Sequence, residues 1–83
     1  MAELLQLKIH YYAVLREQRG LAEESLSLAA GTPGELYTLL RGLHHFTLAP
    51  EMVRAAVNGS FAPMDRPLVS GDTIVFIPPI AGG

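Results

Sequence analysis

The 83-residue chain is short enough to predict one domain spanning residues 1–83, and its composition excludes several protein classes. Apolar residues make up 49% of it and charged residues 17%, which is too hydrophobic for an intrinsically disordered chain. The absence of cysteine excludes a disulfide framework and a thiolate zinc site, and six scattered Lys and Arg residues against eight Asp and Glu do not favour nucleic-acid binding.

The N-terminal segment alternates apolar and polar side chains, the two-residue period of a strand with one buried face. Leu5, Leu7, Ile9 and Tyr11 share that face and predict the first strand. The segment lacks a basic leader followed by an apolar run, so we expect no signal peptide. No run approaches the roughly 18 apolar residues of a membrane span. We therefore expect a cytoplasmic protein with no membrane partner.

A short helix over residues 13–19, ended by Gly20, and a second strand over residues 25–28 follow. The segment Thr32-Pro33-Gly34-Glu35 then predicts a helix start, with a capping hydroxyl, a proline at the first position and a glutamate three residues past the cap. This helix continues to about His45. Its leucines are spaced to form one stripe that docks on the sheet, namely Leu36, Leu39, Leu40 and Leu43.

Pro50 breaks the chain, and a strand over residues 54–57 leads into Asn58-Gly59. This dipeptide tolerates positive φ at both centres of a type I′ hairpin turn, so residues 60–62 return as a short strand. A tight turn at Ser70-Gly71-Asp72 precedes the β-branched and aromatic final strand, residues 73–77.

This order of elements predicts an α+β protein with the β-grasp fold, in which one main helix packs across one face of a mixed sheet. A ferredoxin-like arrangement is the alternative, but it requires a second long helix that the sequence does not show.

The last six residues predict a tail that projects from the sheet. Two prolines cannot extend a central ladder, and two terminal glycines can thread a narrow channel in any backbone conformation. The alternative interpretation is a frayed terminus. The predicted tail is Pro78, Pro79, Ile80, Ala81, Gly82 and Gly83.

Three segments together resemble the small subunit of molybdopterin synthase, a ubiquitin-like sulfur carrier. They are Lys8-Ile9-His10-Tyr11-Tyr12-Ala13-Val14-Leu15-Arg16, Ala56-Val57-Asn58-Gly59, and residues 68–83 with their Gly-Asp, Pro-Pro and Gly-Gly elements. The chain departs from that family at His10, where an apolar residue is usual, and at Ala62-Pro63-Met64, which puts the length of the short strand in doubt.

The resemblance implies a carrier that supplies no catalytic side chain and binds no cofactor stably. An activating enzyme uses ATP to adenylate the carboxylate of Gly83, and a sulfur donor converts the glycyl adenylate to a thiocarboxylate, or 1-thioglycine. The large synthase subunit then uses this sulfur to make the dithiolene of molybdopterin. The implied assembly is a heterotetramer with two carriers on a large-subunit dimer.

The strand period also predicts a partner interface. If Tyr11, Ile74 and Phe76 face the core, their neighbours along the strands point outward and form an apolar patch. The resemblance places the family's interface with the large subunit at Tyr12, Phe61 and Ile77. The alternative interpretation is scattered surface apolar residues or a different strand register. The candidate interface residues are Tyr12, Phe61, Ile77, Val75 and, as a polar neighbour, Arg16.

Other residues carry weaker signals for a site. His44 and His45 point about 100° apart on a helix, which disfavours a shared metal site, and we expect no bound metal. Asp65 and Asp72 lie at turns, where a side chain that bonds its own backbone is the simpler explanation. The serines lack the His and carboxylate arrangement of a nucleophile.

Three other functions fit the same features. The chain could carry sulfur for thiamine, cysteine or thiolated transfer RNA, it could be a ubiquitin-like modifier joined to lysines through Gly83, or it could be a binding module that uses only its apolar face.

Overall fold

The computed structural model describes residues 4–79, which form five strands, two α-helices and one 3₁₀ turn. The remaining predicted tail residues, from Ile80 to Gly83, lie outside the described residues. The elements in chain order are β1 (Leu5–Tyr11), α1 (Ala13–Arg19), β2 (Glu23–Leu28), α2 (Pro33–His44), the 3₁₀ turn (Pro50–Met52), β3 (Arg54–Val57), β4 (Ser60–Ala62) and β5 (Thr73–Ile77).

The five strands of this region form one mixed sheet in the order β2-β1-β5-β3-β4. Strands β1 and β5 run parallel at its centre, with Ile9 opposite Ile74, and the other neighbours are antiparallel. This topology confirms the β-grasp prediction. The ferredoxin-like alternative is wrong, because α1 has only seven residues and α2 is the one long helix among residues 4–79.

The core lies between one face of the sheet and α2. Alternate residues of the central strands, including Ile9, Ile74 and Phe76, are buried on this face. The ring of Tyr37 stacks on Phe46 with a centroid distance of 5.9 Å and meets Phe76 edge-on at 5.3 Å. Edge-to-face and offset aromatic pairs contribute beyond the area they bury. The prediction that Ile74 and Phe76 face the core is confirmed.

The predicted leucine stripe of α2 is wrong in part. Leu36 and Leu40 are buried, but Leu39 and Leu43 are 40% and 58% exposed, and Tyr37 is buried instead. At 100° per residue, this rotates the buried stripe by about 60° from the prediction. The cause is Tyr37, whose ring fills the aromatic core and whose hydroxyl donates a hydrogen bond to the Leu48 carbonyl at 2.8 Å.

The predicted helix ends and turns are confirmed. Glu35 donates its backbone N–H to the Thr32 hydroxyl at 3.1 Å. Its carboxylate accepts from the N–H of Gly31, the residue before the N-cap, which makes this a variant of the capping box. Asn58 and Gly59 have φ values of +52° and +89°, as a type I′ turn requires. The three-residue β4 also has the predicted bounds, despite the atypical sequence that follows it.

Two local predictions need correction. Strand β2 begins at Glu23, two residues before the predicted start, because His10 and Glu23 extend its pairing with β1. The chain does not simply break at Pro50, but forms a 3₁₀ turn over Pro50–Met52 that leads directly into β3. The prediction of a single domain over residues 1–83 stays a prediction.

Candidate functional site

The sheet face opposite α2 carries the candidate interface, because side chains alternate across a strand. Strand pairing sets Val75 of β5 beside His10 of β1 and Ala56 of β3, and Ala56 lies opposite Phe61 of β4. These four side chains form a row that crosses four neighbouring strands. The residues of the row on β5, β3 and β4 are apolar.

A second row lies closer to the end of β5. Tyr12 follows Tyr11, whose partner is Phe76, so the next position along the two parallel strands sets Tyr12 near Ile77. Ile77 in turn lies opposite Arg54 of β3. We refer to Tyr12, Phe61, Val75 and Ile77 together as the open face.

The side chains of the open face differ in exposure. Phe61 is 70% exposed and Tyr12 is 54% exposed, while Val75 and Ile77 are half-buried between neighbouring strands. Large aromatic side chains left in water next to half-buried aliphatic ones form a contiguous apolar patch, and such patches mark sites of protein interaction. Ala56 of β3 lies between Phe61 of β4 and Val75 of β5, so the predicted residues share one surface but do not all lie on adjacent strands.

Arg16 lies on α1, one helical turn after Tyr12. Its backbone N–H approaches the Tyr12 carbonyl oxygen at 3.4 Å, and its side chain is exposed. Arg16 is therefore a neighbour of Tyr12 rather than part of the sheet row. Its predicted role in partner binding stays a prediction.

The root of the tail, Pro78 and Pro79, lies at the edge of the open face. Strand β5 ends at Ile77, Pro78 is buried and Pro79 is exposed. A proline has no N–H, so Pro78 can end the ladder while it still packs against the domain. The predicted tail from Pro78 onward stays a prediction. The predicted projection of the next four residues lies outside the described region.

A cleft of about 530 Å³ opens beside this root. Its walls include Met52, Arg54, Phe61, Ile77 and Pro78. Sequence reasoning missed Met52 and Arg54. The strand period of residues 54–57 was a usable signal for Arg54, whereas the position of Met52 depends on the unpredicted 3₁₀ turn.

A polar cluster fixes the hairpin of the open face to the turn before β5. The Asn58 side-chain amide donates to Asp72 at 2.8 Å, and the Thr73 backbone N–H donates to the Asn58 side-chain oxygen at 2.9 Å. The second Asp72 oxygen accepts from the Val69 N–H at 2.9 Å. This bond, with support from Asn58 and Arg66, lowers the pKa of the buried Asp72 carboxyl.

The Asp72 bond to Val69 confirms the turn explanation predicted for that residue. The same explanation fails for Asp65, whose exposed side chain makes no hydrogen bond with residues 4–79. Asp72 is therefore a structural carboxylate, and it positions β3, β4 and β5 relative to one another.

Comparisons with known proteins identify the class of molecule that this geometry belongs to. The model of the ThiS family matches residues 9–83, which is most of the sequence. The chain belongs to the ThiS family. A search of curated proteins by sequence found no significant match.

Solved structures agree with this membership. The putative molybdopterin converting factor subunit 1 from Pyrococcus furiosus is 26% identical, with a TM-score of 0.75 over 92% of this chain and 99% of that one. Small archaeal modifier protein 1 from Methanosarcina acetivorans is 21% identical, with a TM-score of 0.76 over 96% and 98%. The complex of subunits 1 and 2 of the molybdopterin-converting factor from Helicobacter pylori contains a chain 23% identical to this one, with a TM-score of 0.57 over 95% and 100%.

These findings establish a β-grasp protein of the ThiS family, a class of ubiquitin-like sulfur carriers. The expected family resemblance is confirmed at this level. Within residues 4–79, neither helix combines the length and apolar character needed to cross a bilayer.

A second charged cluster of this ThiS-family domain is structural. The Arg19 guanidinium donates two hydrogen bonds to Glu24, at 2.7 and 2.8 Å, and the Tyr11 hydroxyl donates a third at 2.7 Å. The bonds from Arg19 lower the pKa of Glu24, and burial, helped by Glu24, raises the pKa of Tyr11. All three groups are satisfied by one another, which leaves no free base or nucleophile in the cluster.

The adjacent histidines do not form a joint site. The His44 ring lies 5.8 Å from the Phe46 ring, and burial lowers the pKa of His44. His45 is exposed in a left-handed conformation at the helix end. In the described part of the chain, no three His, Cys, Asp or Glu side chains come together as a metal site requires.

Proposed function

We propose that this chain is the sulfur-carrying, noncatalytic small subunit of molybdopterin synthase. The observation that carries the proposal is the position of the tail root: β5 ends beside the exposed apolar open face, with Pro78 packed and Pro79 in solvent. A partner that covers the open face thereby also receives the end of the chain. Membership of the ThiS family and the sequence signature around residues 68–83 support this proposal.

The proposed chemistry takes place at the carboxylate of Gly83, in the active sites of partner enzymes. A carboxylate oxygen attacks the α-phosphorus of ATP in the activating enzyme, which forms the glycyl adenylate and releases pyrophosphate. Hydrosulfide from the sulfur donor then attacks the acyl carbon, and AMP leaves with the electron pair of the broken C–O bond, which gives the thiocarboxylate. In the large subunit the thiocarboxylate sulfur bonds to the substrate, and water then attacks the acyl carbon, which breaks the C–S bond and restores the carboxylate of Gly83. ATP is a substrate of the activating enzyme, and the carrier itself binds no cofactor stably.

The proposed partner assembly is a heterotetramer of two carriers and a large-subunit dimer in the cytoplasm. The Helicobacter pylori complex of subunits 1 and 2 supports a large-subunit partner of this kind. The open face offers the apolar anchors that such an interface needs, with Phe61 and Tyr12 as the most exposed.

Intact-mass analysis tests the proposal. The chain is incubated with ATP, an activating enzyme and a sulfur donor, and we expect the mass to rise by the difference between sulfur and oxygen at the C-terminus. A chain without Gly83 should stay folded but should not support synthesis of molybdopterin by the large subunit. An active truncated chain would contradict the proposal.

A second candidate is a sulfur carrier for thiamine, cysteine or transfer RNA thiolation, or a protein modifier. The structural similarity to small archaeal modifier protein 1 favours keeping it. A modifier should form isopeptide adducts between Gly83 and lysines, detectable by mass spectrometry of cell extracts. A carrier of another pathway should form the thiocarboxylate but fail to donate sulfur to the molybdopterin synthase large subunit.

A further inference from the structure

The cleft beside the tail root has two exposed apolar walls. Met52, from the 3₁₀ turn, is 52% exposed, and Phe61, from β4, is 70% exposed. Both side chains leave most of their apolar surface in water, although each is positioned by a short, well-defined element. Exposed apolar side chains around a concave surface are typical of a site that receives an anchor side chain from a partner.

A cation lies in the same cleft. Arg54 is exposed, lies opposite Ile77 in the β3–β5 pairing, and forms no ion pair with any residue in the range 4–79. Glu51 also lines the cleft, but its carboxylate is not within ion-pair distance of the Arg54 guanidinium. Two other cations of this region are paired internally, Lys8 with Glu23 and Arg66 with Asp72. The exposed Arg16 and Arg41 also form no ion pair with residues 4–79, but neither lines the cleft.

We propose that this cleft selects the large subunit by binding an apolar side chain that has a carboxylate next to it. The apolar group lies between Met52 and Phe61, and the carboxylate pairs with Arg54, whose planar guanidinium can bind both carboxylate oxygens. This inference rests on the proposed function and extends it, because neither Met52 nor Arg54 belongs to the interface predicted from the sequence.

The place of the cleft gives the binding a second effect. Ile77, Pro78 and Pro79 also line the cleft. A bound segment therefore contacts the first residues of the tail as well as the open face. Recognition by Arg54 and orientation of the tail are thus coupled in one contact.

Charge and apolar contributions can be separated by three variants. Arg54→Gln removes the cation, Met52→Ser removes one apolar wall, and Lys8→Gln is the matched control. Lys8 is also a cation on the sheet face opposite α2. It lies two strands and four residue steps from Arg54, a distance of roughly 16 Å. All three side chains are exposed, so each variant should unfold at the temperature of the wild-type chain.

The binding of each variant to the molybdopterin synthase large subunit from the same organism is measured by titration calorimetry at two salt concentrations. We expect Arg54→Gln to weaken binding about tenfold at low salt and to reduce its salt dependence. We expect Met52→Ser to weaken binding about tenfold with the salt dependence unchanged. Lys8→Gln should bind within about twofold of the wild-type chain.

The outcomes distinguish this inference from the proposed function. If the wild-type chain binds the large subunit and acquires sulfur, but Arg54→Gln and Met52→Ser bind as the control does, the cleft inference is wrong and the proposed function stands. If the wild-type chain neither binds nor acquires sulfur, the proposed function fails. If sedimentation shows that the wild-type chain self-associates and that Arg54→Gln abolishes this, the occupant is a second copy and the inference is overturned.

Discussion

Replacement of Asp72 by asparagine should destabilise the domain and remove part of its pH dependence. Each carboxylate oxygen of Asp72 faces an N–H donor: one accepts from the Asn58 amide at 2.8 Å and the other from the Val69 backbone at 2.9 Å. An asparagine at position 72 has only one side-chain oxygen. In either orientation of its amide, its NH₂ group therefore faces the N–H of Asn58 or of Val69, and one of these donors loses its acceptor. The Asp72 side chain is buried, which prevents water from replacing the lost bond.

The magnitude follows from the kind of bond that is lost. Hydrogen bonds to charged groups contribute about 1.5 to 3 kcal/mol, so Asp72→Asn should lose about this much stability at pH 7. With an m-value near 1 kcal/mol per molar, the lower end of the range for small proteins, the urea midpoint should fall by about 1.5 to 3 M. Circular dichroism at each urea concentration measures this directly.

The pH dependence has a definite sign. The pKa of Asp72 is lower in the folded chain than in the unfolded chain, chiefly through the Val69 N–H. Its contribution is therefore fully present above the unfolded value of about 3.9 and is lost as the pH falls through the lower folded value. The wild-type chain should lose stability over this range, and the Asp72→Asn chain should lose less of it. Glu24, whose pKa is also lowered, accounts for the acid sensitivity that remains.

Equal urea midpoints for the two chains at pH 7 would refute this reasoning, because the buried carboxylate would then contribute nothing. A variant with a lower midpoint but an unchanged acid dependence would also contradict it, since the loss would then be unrelated to the charge of Asp72.

Three further predictions separate folding from binding. Leu40→Ala should lower the free energy of unfolding by about 2 to 5 kcal/mol, because Leu40 is buried. Leu43→Ala on the same helix should lower it by less than about 1 kcal/mol, because Leu43 is exposed. Equal losses would mean that both leucines pack against the sheet, as the sequence predicted. Phe61→Ser should weaken large-subunit binding at least about tenfold without lowering the melting temperature. Val69→Ser should leave binding unchanged, because Val69 is also a largely exposed apolar residue, 61% against 70% for Phe61, but lies outside the open face. Thr32→Ala should reduce stability by about 1 kcal/mol in thermal melts, because the Glu35 N–H loses its acceptor.

Local sequence signals predicted most of the fold because the physics behind them is local. Thr32 needs only the N–H of Glu35, three residues away, to begin a helix. The Asn58-Gly59 turn needs only two positive φ values, which both residues tolerate. The alternation along β1 and β5 then fixed which side chains face the core, and this located the open face.

The failures came from interactions between residues distant in sequence. Tyr37 turns α2 toward Phe76 and Phe46, and no helical period within α2 can show this. The bond between Asn58 and Asp72 joins two turns 14 residues apart, so each could be identified as a turn but not as half of a pair. The cleft required the 3₁₀ turn that places Met52 beside Phe61.

The position of β5 in the sheet supports the proposed carrier function. Strand β5 pairs with β1 as far as Phe76 and with β3 as far as Ile77, which lies opposite Arg54. Moving β5 would break pairings on both sides, whereas an edge strand such as β4 could shift by losing only one. Pro78 and Pro79 therefore follow a strand that is held on both sides, beside the open face. Under the proposed function, a partner that recognises the open face binds next to the point from which the chain continues towards Gly83.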